Sequence, residues 1–138
     1  VVSSAVSPPT ATLMCRDVAG AEIQKHVYFR VAAVTQVGVG RYSGVSRLFC
    51  ANRPDPPTVE DKDGTETSFT VTFKEQGLFK AQLLGYKIYM NDGLGGQMTY
   101  RGMVEDTSQR YYTASGLITD RAYRIQVTVV SEAGESLP

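Results

Sequence analysis

Residues suited to acid–base or nucleophilic chemistry are few in this 138-residue chain, and they do not cluster. His26 is the only histidine, and it directly follows Lys25. A catalytic base needs a nucleophile or a second acid nearby, together with a group that orients it. No such set accompanies His26 in the sequence, so we expect it to have a surface or capping role.

Two further segments contain weak ligand-binding signals. Glu60–Glu66 reads "EDKDGTE", but placing Gly64 sixth in an EF-hand loop puts Val59 first and Thr70 twelfth, where carboxylates are needed. Gly93–Gly96 reads "GLGG" and lacks the lysine and helix that complete a phosphate-binding loop. We predict a solvated turn and a hairpin tip at these places. We therefore predict no catalytic residue, cofactor or metal site, and no enzyme activity.

The two cysteines, Cys15 and Cys50, leave two alternatives open. They are too few for a disulfide-dense scaffold and lack the paired spacing of a zinc site. They can bond to each other or remain as two buried thiols. A disulfide would favour an oxidising compartment, because disulfides seldom persist in the cytosol.

Charge and hydropathy exclude two classes of partner. The chain has 14 basic and 14 acidic residues, scattered without a polybasic run, so we expect no nucleic-acid binding. No apolar run approaches the roughly 18 to 20 residues that span a bilayer, so we expect no direct membrane insertion. The chain begins at Val1 and stops at Pro138 within a repeating pattern, and we expect it to be part of a longer protein.

Short apolar runs separated by glycine, proline and Asn-Asp clusters predict strands. Ser68–Glu75 alternates strictly between apolar and polar residues, as a strand with one buried face does. Further strand patterns follow at spacings of about ten residues, which is typical of a β-sandwich. They lie in Leu83–Met90, Gly96–Val104, Arg110–Leu117 and Arg121–Val130.

A proline cluster divides the chain. Pro54, Pro56 and Pro57 cannot donate to a central ladder, so they fit a linker and an edge strand. We place the boundary near Arg53.

From Pro54 onward the chain resembles the fibronectin type III module. "PDPPTVE", "TSFTVTF" and "LLGYKIYM" resemble its first three strands. Leu117 and Tyr123 resemble the leucine and tyrosine of its corner, where the tyrosine hydroxyl bonds back to the backbone. Phe73 stands where the family usually has tryptophan. The resemblance implies an all-β, immunoglobulin-like sandwich.

The glycine-ended strand of this module occurs twice. "YFRVAAVTQVGVG" and "YRIQVTVVSEAG" superpose at an offset of 96 residues, with Phe29 on Ile125, Val31 on Val127 and Gly38 on Gly134. Such a period predicts tandem modules. We assign residues 1–53 to the C-terminal part of one module. We expect residues 54–138 to form a second module that lacks its last strand.

Three tyrosines are candidates for a recognition surface. By alternation, Tyr89, Tyr100 and Tyr111 would share an outer face of one sheet, and exposed aromatic faces are often recognition surfaces. Cross-strand packing that only shields the sheet is the alternative.

These observations favour a non-catalytic structural or adhesive interaction module. It would belong to a longer tandem-repeat protein in a filament, matrix or scaffold, with other protein chains or neighbouring repeats as partners. The alternatives are accessory modules of a larger extracellular enzyme, or a receptor ectodomain. We expect an extracellular or cell-surface location, with a cytoskeletal or ciliary scaffold as the alternative.

Overall fold

The computed structural model describes residues 14–18 and 21–138, which divide by their contacts into two units, Val1–Cys50 and Ala51–Pro138. A short 3-10 helix, Cys15–Asp17, precedes the strands. The strands are β1 (Lys25–Phe29), β2 (Val34–Thr35), β3 (Gly38–Val39), β4 (Ser46–Cys50), β5 (Asp55–Thr65), β6 (Ser68–Gln76), β7 (Leu83–Met90), β8 (Thr99–Val104), β9 (Tyr111–Ser115), β10 (Ile125–Ser131) and β11 (Gly134–Glu135). Within the described ranges, no helix is long and apolar enough to cross a bilayer.

The second unit is a sandwich of two antiparallel sheets. One sheet has the order β5-β6-β9, and the other has the order β11-β10-β7-β8. β7 and β10 are distant in sequence and pair along most of their length. The predicted all-β, immunoglobulin-like sandwich is confirmed.

The edge strand β5 is longer than its sequence suggests. Pro56 and Pro57 lie where its register with β6 shifts, between Asp55 and Thr58, because proline cannot donate to the ladder. The acidic segment Glu60–Glu66, predicted as a turn, continues this strand to Thr65. The prediction was wrong there because an exposed edge strand does not need one apolar face.

The core of the second unit joins both sheets. The rings of Phe73 on β6 and Tyr86 on β7 have centroids 4.5 Å apart, and Phe73 is only 3% exposed. Burial of these side chains from water is the main force that holds the sheets together. The buried cluster consists of Val71, Phe73, Tyr86, Ile88, Val104, Val127 and Val129.

The corner between β9 and β10 is fixed by two hydrogen bonds. The hydroxyl of Tyr123 accepts one from the N–H of Ile118 at 3.1 Å. The N–H of Leu117 donates another to the carbonyl of Thr67 at 2.9 Å. The geometry is that of a tyrosine corner, which ties the start of β10 to the turn before it.

Removing the Tyr123 hydroxyl should destabilise the second unit modestly. Tyr123→Phe keeps the ring and leaves the Ile118 N–H without this acceptor, so we expect a loss of about 1 kcal/mol in the free energy of unfolding. Urea denaturation followed by circular dichroism measures it. Tyr111→Phe, on the half-exposed side of β9, is the matched control. Equal stabilities of the two variants would contradict a structural role for the corner.

Asn91 connects the end of β7 to the residue before β10. Its side chain is fully buried, and its Oδ1 accepts a hydrogen bond from the N–H of Arg124 at 2.7 Å. Its own N–H donates to the Arg124 carbonyl at 3.1 Å. The next residue, Asp92, accepts hydrogen bonds from the N–H groups of Leu94 and Gly96, so the predicted hairpin tip is a closed loop.

The described part of the first unit is built on two hairpin ladders. β1 pairs with β4, with Lys25 opposite Cys50 and Phe29 opposite Ser46. Beyond Phe29 the chain runs into the short pair β2 and β3. His26 lies on β1 with its ring 5.1 Å from that of Phe49, within a strand pair.

A hairpin in the second unit has the same pairing as the tip of this one. Val34 pairs with Val39 in the first unit, and 96 residues later Val130 pairs with Glu135. The hydrogen bonds repeat as well. The Gly40 N–H donates to the Ala33 carbonyl at 2.8 Å, as the Ser136 N–H donates to the Val129 carbonyl at 2.9 Å.

Glycine closes both turns in the same conformation. Gly38 has φ of 131° and Gly134 has φ of 118°, a region that side chains strongly disfavour. Each glycine carbonyl also accepts a hydrogen bond from the hydroxyl of the residue three positions earlier, Thr35 or Ser131, at 3.3 Å. The two hairpins therefore share their pairing, their glycine conformation and their local hydrogen bonds.

Candidate interaction face

The structure brings two of the three predicted tyrosines together. Tyr89 on β7 lies opposite Tyr100 on β8, and their rings meet edge to face with centroids 5.7 Å apart. Tyr100 is 57% exposed. Tyr111 is on β9 in the three-stranded sheet, so it does not share their face. The chain crosses from one sheet to the other between β8 and β9, which alternation within a strand cannot reveal.

A polar cluster extends from this pair across the four-stranded sheet. Glu135 on β11 accepts hydrogen bonds from Lys87 at 2.6 Å, from Tyr89 at 3.2 Å and from Thr128 at 2.7 Å. These residues come from β7, β10 and β11. We call Lys87, Tyr89, Tyr100, Thr128 and Glu135 the tyrosine face.

The cluster shifts the pKa values of its own members. Burial raises the pKa of Glu135, but the hydrogen bonds from Lys87, Thr128 and Tyr89 outweigh it, and the net pKa is below the usual value. The hydrogen bond to Glu135 raises the pKa of Lys87. Burial, followed by the same carboxylate, raises the pKa of the Tyr89 hydroxyl. Near neutral pH the face thus presents an ion pair beside the neutral phenol of Tyr89.

The depressed pKa of Glu135 predicts an acid-dependent contribution to stability. Such a carboxylate stabilises the fold above its unfolded pKa and loses that contribution as the pH falls through its folded pKa. Glu135→Gln should therefore cost about 1 kcal/mol at pH 7, with a smaller difference from the parent at a pH of about 2.5. Urea denaturation at both pH values measures it.

Glu105→Gln is the matched control, because Glu105 is exposed in the loop after β8 and lies outside the tyrosine face. A loss of unfolding free energy in Glu135→Gln that is equal at both pH values would contradict a role for the Glu135 charge.

Three members of the tyrosine face were missed by sequence reasoning. Lys87 carried a usable signal, because it alternates in phase with Tyr89 on one strand. Thr128 sits opposite Lys87 only through the pairing of β10 with β7. Glu135 reaches the face only because a hairpin folds β11 back onto β10. No local sequence pattern predicts this position.

A second polar group lies beside the core. Glu75 accepts a hydrogen bond from the Tyr86 hydroxyl at 2.6 Å and one from the Arg110 guanidinium at 2.8 Å. Burial opposes the charge of Glu75, but these bonds leave its pKa below the usual value. Burial, followed by the bond to Glu75, raises the pKa of Tyr86. The group ties β6 and β7 to the segment before β9, which is a structural role.

The structure joins Cys15 and Cys50 by a disulfide, with their Cα atoms 5.7 Å apart. The bond links the 3-10 helix to the last residue of β4. Across residues 14–18 and 21–138, no group of three or more His, Cys, Asp or Glu side chains is placed to hold a metal ion.

Several solved structures with the same architecture contain more than one domain. The chain is similar to the FN1–FN3 domains of chicken CNTN1, with 18% identity and a TM-score of 0.59 over 86% of this chain and 42% of that one. It is also similar to domains A168–A170 of titin, with 17% identity and a TM-score of 0.58 over 91% of this chain and 39% of that one. At these identities the likeness shows the fold alone.

A third similar structure contains the titin kinase and its flanking domains, with 22% identity and a TM-score of 0.55 over 64% of this chain and 16% of that one. The chain spans about two fifths of the length of the first two. A sequence search of curated proteins gives no match.

The two-sheet topology and the tyrosine corner define an immunoglobulin-like sandwich domain. The fibronectin type III domain model matches residues 54–138, and the chain belongs to the fibronectin type III family. The resemblance drawn from the sequence is confirmed. Domains of this family commonly serve as structural or interaction modules.

Proposed function

We propose that this chain is a non-catalytic structural or adhesive interaction module within a longer tandem-repeat protein. Its role is to hold sheet faces and loop tips at regular intervals for contact with other protein chains or with neighbouring repeats. The observation that carries the proposal is the hairpin tip repeated at an offset of 96 residues, with the same register in both units.

The second unit has the properties of a rigid presenting scaffold. Its core contains side chains from both sheets. The hydrogen bonds of Tyr123, Asn91 and Glu75 each connect two segments that are separate in the sequence. On this support the tyrosine face offers Tyr100 and the Lys87–Glu135 ion pair at its surface. Exposed tyrosine on a rigid strand is well suited to protein recognition, because little side-chain entropy is lost on binding.

We place the protein outside the cell or at its surface. The Cys15–Cys50 bond supports this location, because disulfides persist in oxidising compartments and are rare in the cytosol. The extent assigned to the two modules, residues 1–53 and 54–138, is part of the same proposal.

The test is the intact mass of the native protein, measured with and without reduction after thiol blocking. We expect a chain much heavier than these 138 residues, with Cys15 and Cys50 blocked only after reduction. Peptide sequencing of the same material should find further segments with the pattern of Tyr28–Gly44. A native chain no longer than 138 residues would overturn the tandem-repeat role. Thiols that are free before reduction would favour a cytoskeletal or ciliary scaffold.

A further inference from the structure

An open cavity of about 470 Å³ lies at one end of the four-stranded sheet. We call it the arginine cavity. Its walls are the segment that leads into β8 and the start of β10. The residues that line it are Gly96, Gln97, Met98, Arg124, Ile125 and Gln126.

The arginine cavity adjoins the tyrosine face through a row of paired residues. Gln126 on β10 lies opposite Tyr89 on β7, and Tyr89 lies opposite Tyr100 on β8. Directly opposed side chains share one face of a sheet, so Gln126 and the two rings are neighbours. Arg124 is exposed, as Gln126 is, whereas Ile125 between them packs against the core. By this alternation Arg124 belongs to the same outer face.

The cavity contains hydrogen-bond donors that the protein itself does not use. Among the described residues, none pairs with the guanidinium of Arg124 or with the side-chain amides of Gln97 and Gln126. The backbone of Arg124 is fixed, because its N–H and its carbonyl both bond to Asn91. A guanidinium has five N–H donors and no acceptor, so an oxyanion suits this cavity.

The charges around the cavity also favour an anion. The guanidinium of Arg101 donates to the Asn91 carbonyl at 3.4 Å. That of Arg121 donates to the Asp92 carbonyl at 3.4 Å. With Arg124, these contacts bring three arginines and one aspartate to this end of the sheet. The Asp92 carboxylate already accepts two N–H groups of its own loop, so the net charge that a ligand meets here is positive.

We propose that the arginine cavity and the tyrosine face together bind an extended segment of a partner protein through an acidic side chain. The Arg124 guanidinium and the two glutamine amides hold the carboxylate, since arginine binds carboxylates in a bidentate manner. Apolar side chains beside the acid lie against Met98 and the Tyr89–Tyr100 pair, which offers contact area at a low cost in side-chain entropy. The inference rests on the interaction role proposed above and adds the chemistry of the partner.

The test is an NMR titration of the oxidised 138-residue chain with a synthetic peptide of valine, threonine, glutamate, threonine and valine, blocked at both ends. We expect half-saturation at about 1 mM peptide. The side-chain signals of Arg124, Gln97 and Gln126 should shift, together with the ring signals of Tyr89 and Tyr100. The same peptide with glutamine in place of glutamate should bind at least about fivefold more weakly, because its neutral amide cannot form the charge-assisted hydrogen bonds.

Arg124→Gln should weaken binding of the glutamate peptide at least about fivefold. It should leave the Asn91 amide signal in place, because the bonds between these residues use the backbone of Arg124. Lys62→Gln is the matched control, since it removes one positive charge from β5 in the other sheet. We expect that variant to bind the peptide as the parent does.

Equal binding of the glutamate and glutamine peptides would overturn the proposal, as would an Arg124→Gln chain that binds like the parent. Shifts that avoid the arginine cavity would also overturn it. Sodium sulfate that causes the same shifts at a lower concentration than the peptide would overturn the assignment to a partner protein and indicate a sulfated ligand. The native mass reports the length of the chain and this titration reports one site, so the two proposals fail separately.

Discussion

Phe73→Ala should remove about 3 to 5 kcal/mol from the free energy of unfolding of the second unit. The ring is 3% exposed and packs against Tyr86 at the centre of the sandwich. Its loss leaves a cavity that both sheets must tolerate, and cores relax only partly around such cavities. The chain has no tryptophan, so the unfolding transition is followed by circular dichroism in urea.

Leu94→Ala is the control for this measurement. Leu94 is 72% exposed in the loop between β7 and β8, and we expect its truncation to change stability by no more than about 0.5 kcal/mol. A Phe73→Ala loss below about 1 kcal/mol would contradict the packing described here. It would mean that the side chain faces solvent on β6.

Reducing the Cys15–Cys50 bond should destabilise the first unit by about 3 to 5 kcal/mol, given that it joins residues 35 apart in sequence. Many apolar side chains of this unit are exposed, including Tyr28, Val34 and Leu48. Its described part therefore has little buried core to hold β1 and β4 together without the bond. We expect the NMR signals of β1 and β4 to collapse to unfolded positions on reduction.

The second unit is the internal reference, because it contains neither cysteine. Signals of β6, β7 and β10 should keep their positions in the same sample. The Cys15→Ser/Cys50→Ser double variant should resemble the reduced protein and should not respond to a reductant. A first unit that stays folded after reduction, or thiols that titrate before it, would contradict a stabilising disulfide.

The fold was predictable because alternation is a strong local signal in this chain. β6 alternates so strictly that Val71 and Phe73 could be assigned to the core before the structure was known. The proline cluster at Pro54–Pro57 marked the start of a new edge strand for a similar reason, since proline is excluded from central strands. The two matching turns were predictable from glycine, because Gly38 and Gly134 hold a conformation that few other residues adopt.

The candidate site was only partly predictable, because a face depends on which strands become neighbours. Tyr89 and Tyr100 lie on strands that are consecutive in the chain, so their proximity followed from the hairpin. Tyr111 has the same local pattern, but its strand belongs to the other sheet. Glu135 joins the face through the pairing of β11 with β10. The sequence also left open whether Cys15 and Cys50 form a disulfide. A disulfide requires a short distance between the two Cα atoms, and the number of residues between them does not give that distance.

The most direct test of this account is the measurement of scalar couplings across hydrogen bonds in the NMR spectrum of the 138-residue chain. The central claim is that one hairpin occurs twice at an offset of 96 residues. It predicts a coupling between the Gly40 nitrogen and the Ala33 carbonyl carbon, and an equivalent one between Ser136 and Val129. Couplings from these two amides to other carbonyls, or a coupling in the second unit alone, would contradict the repeat on which the proposed function rests.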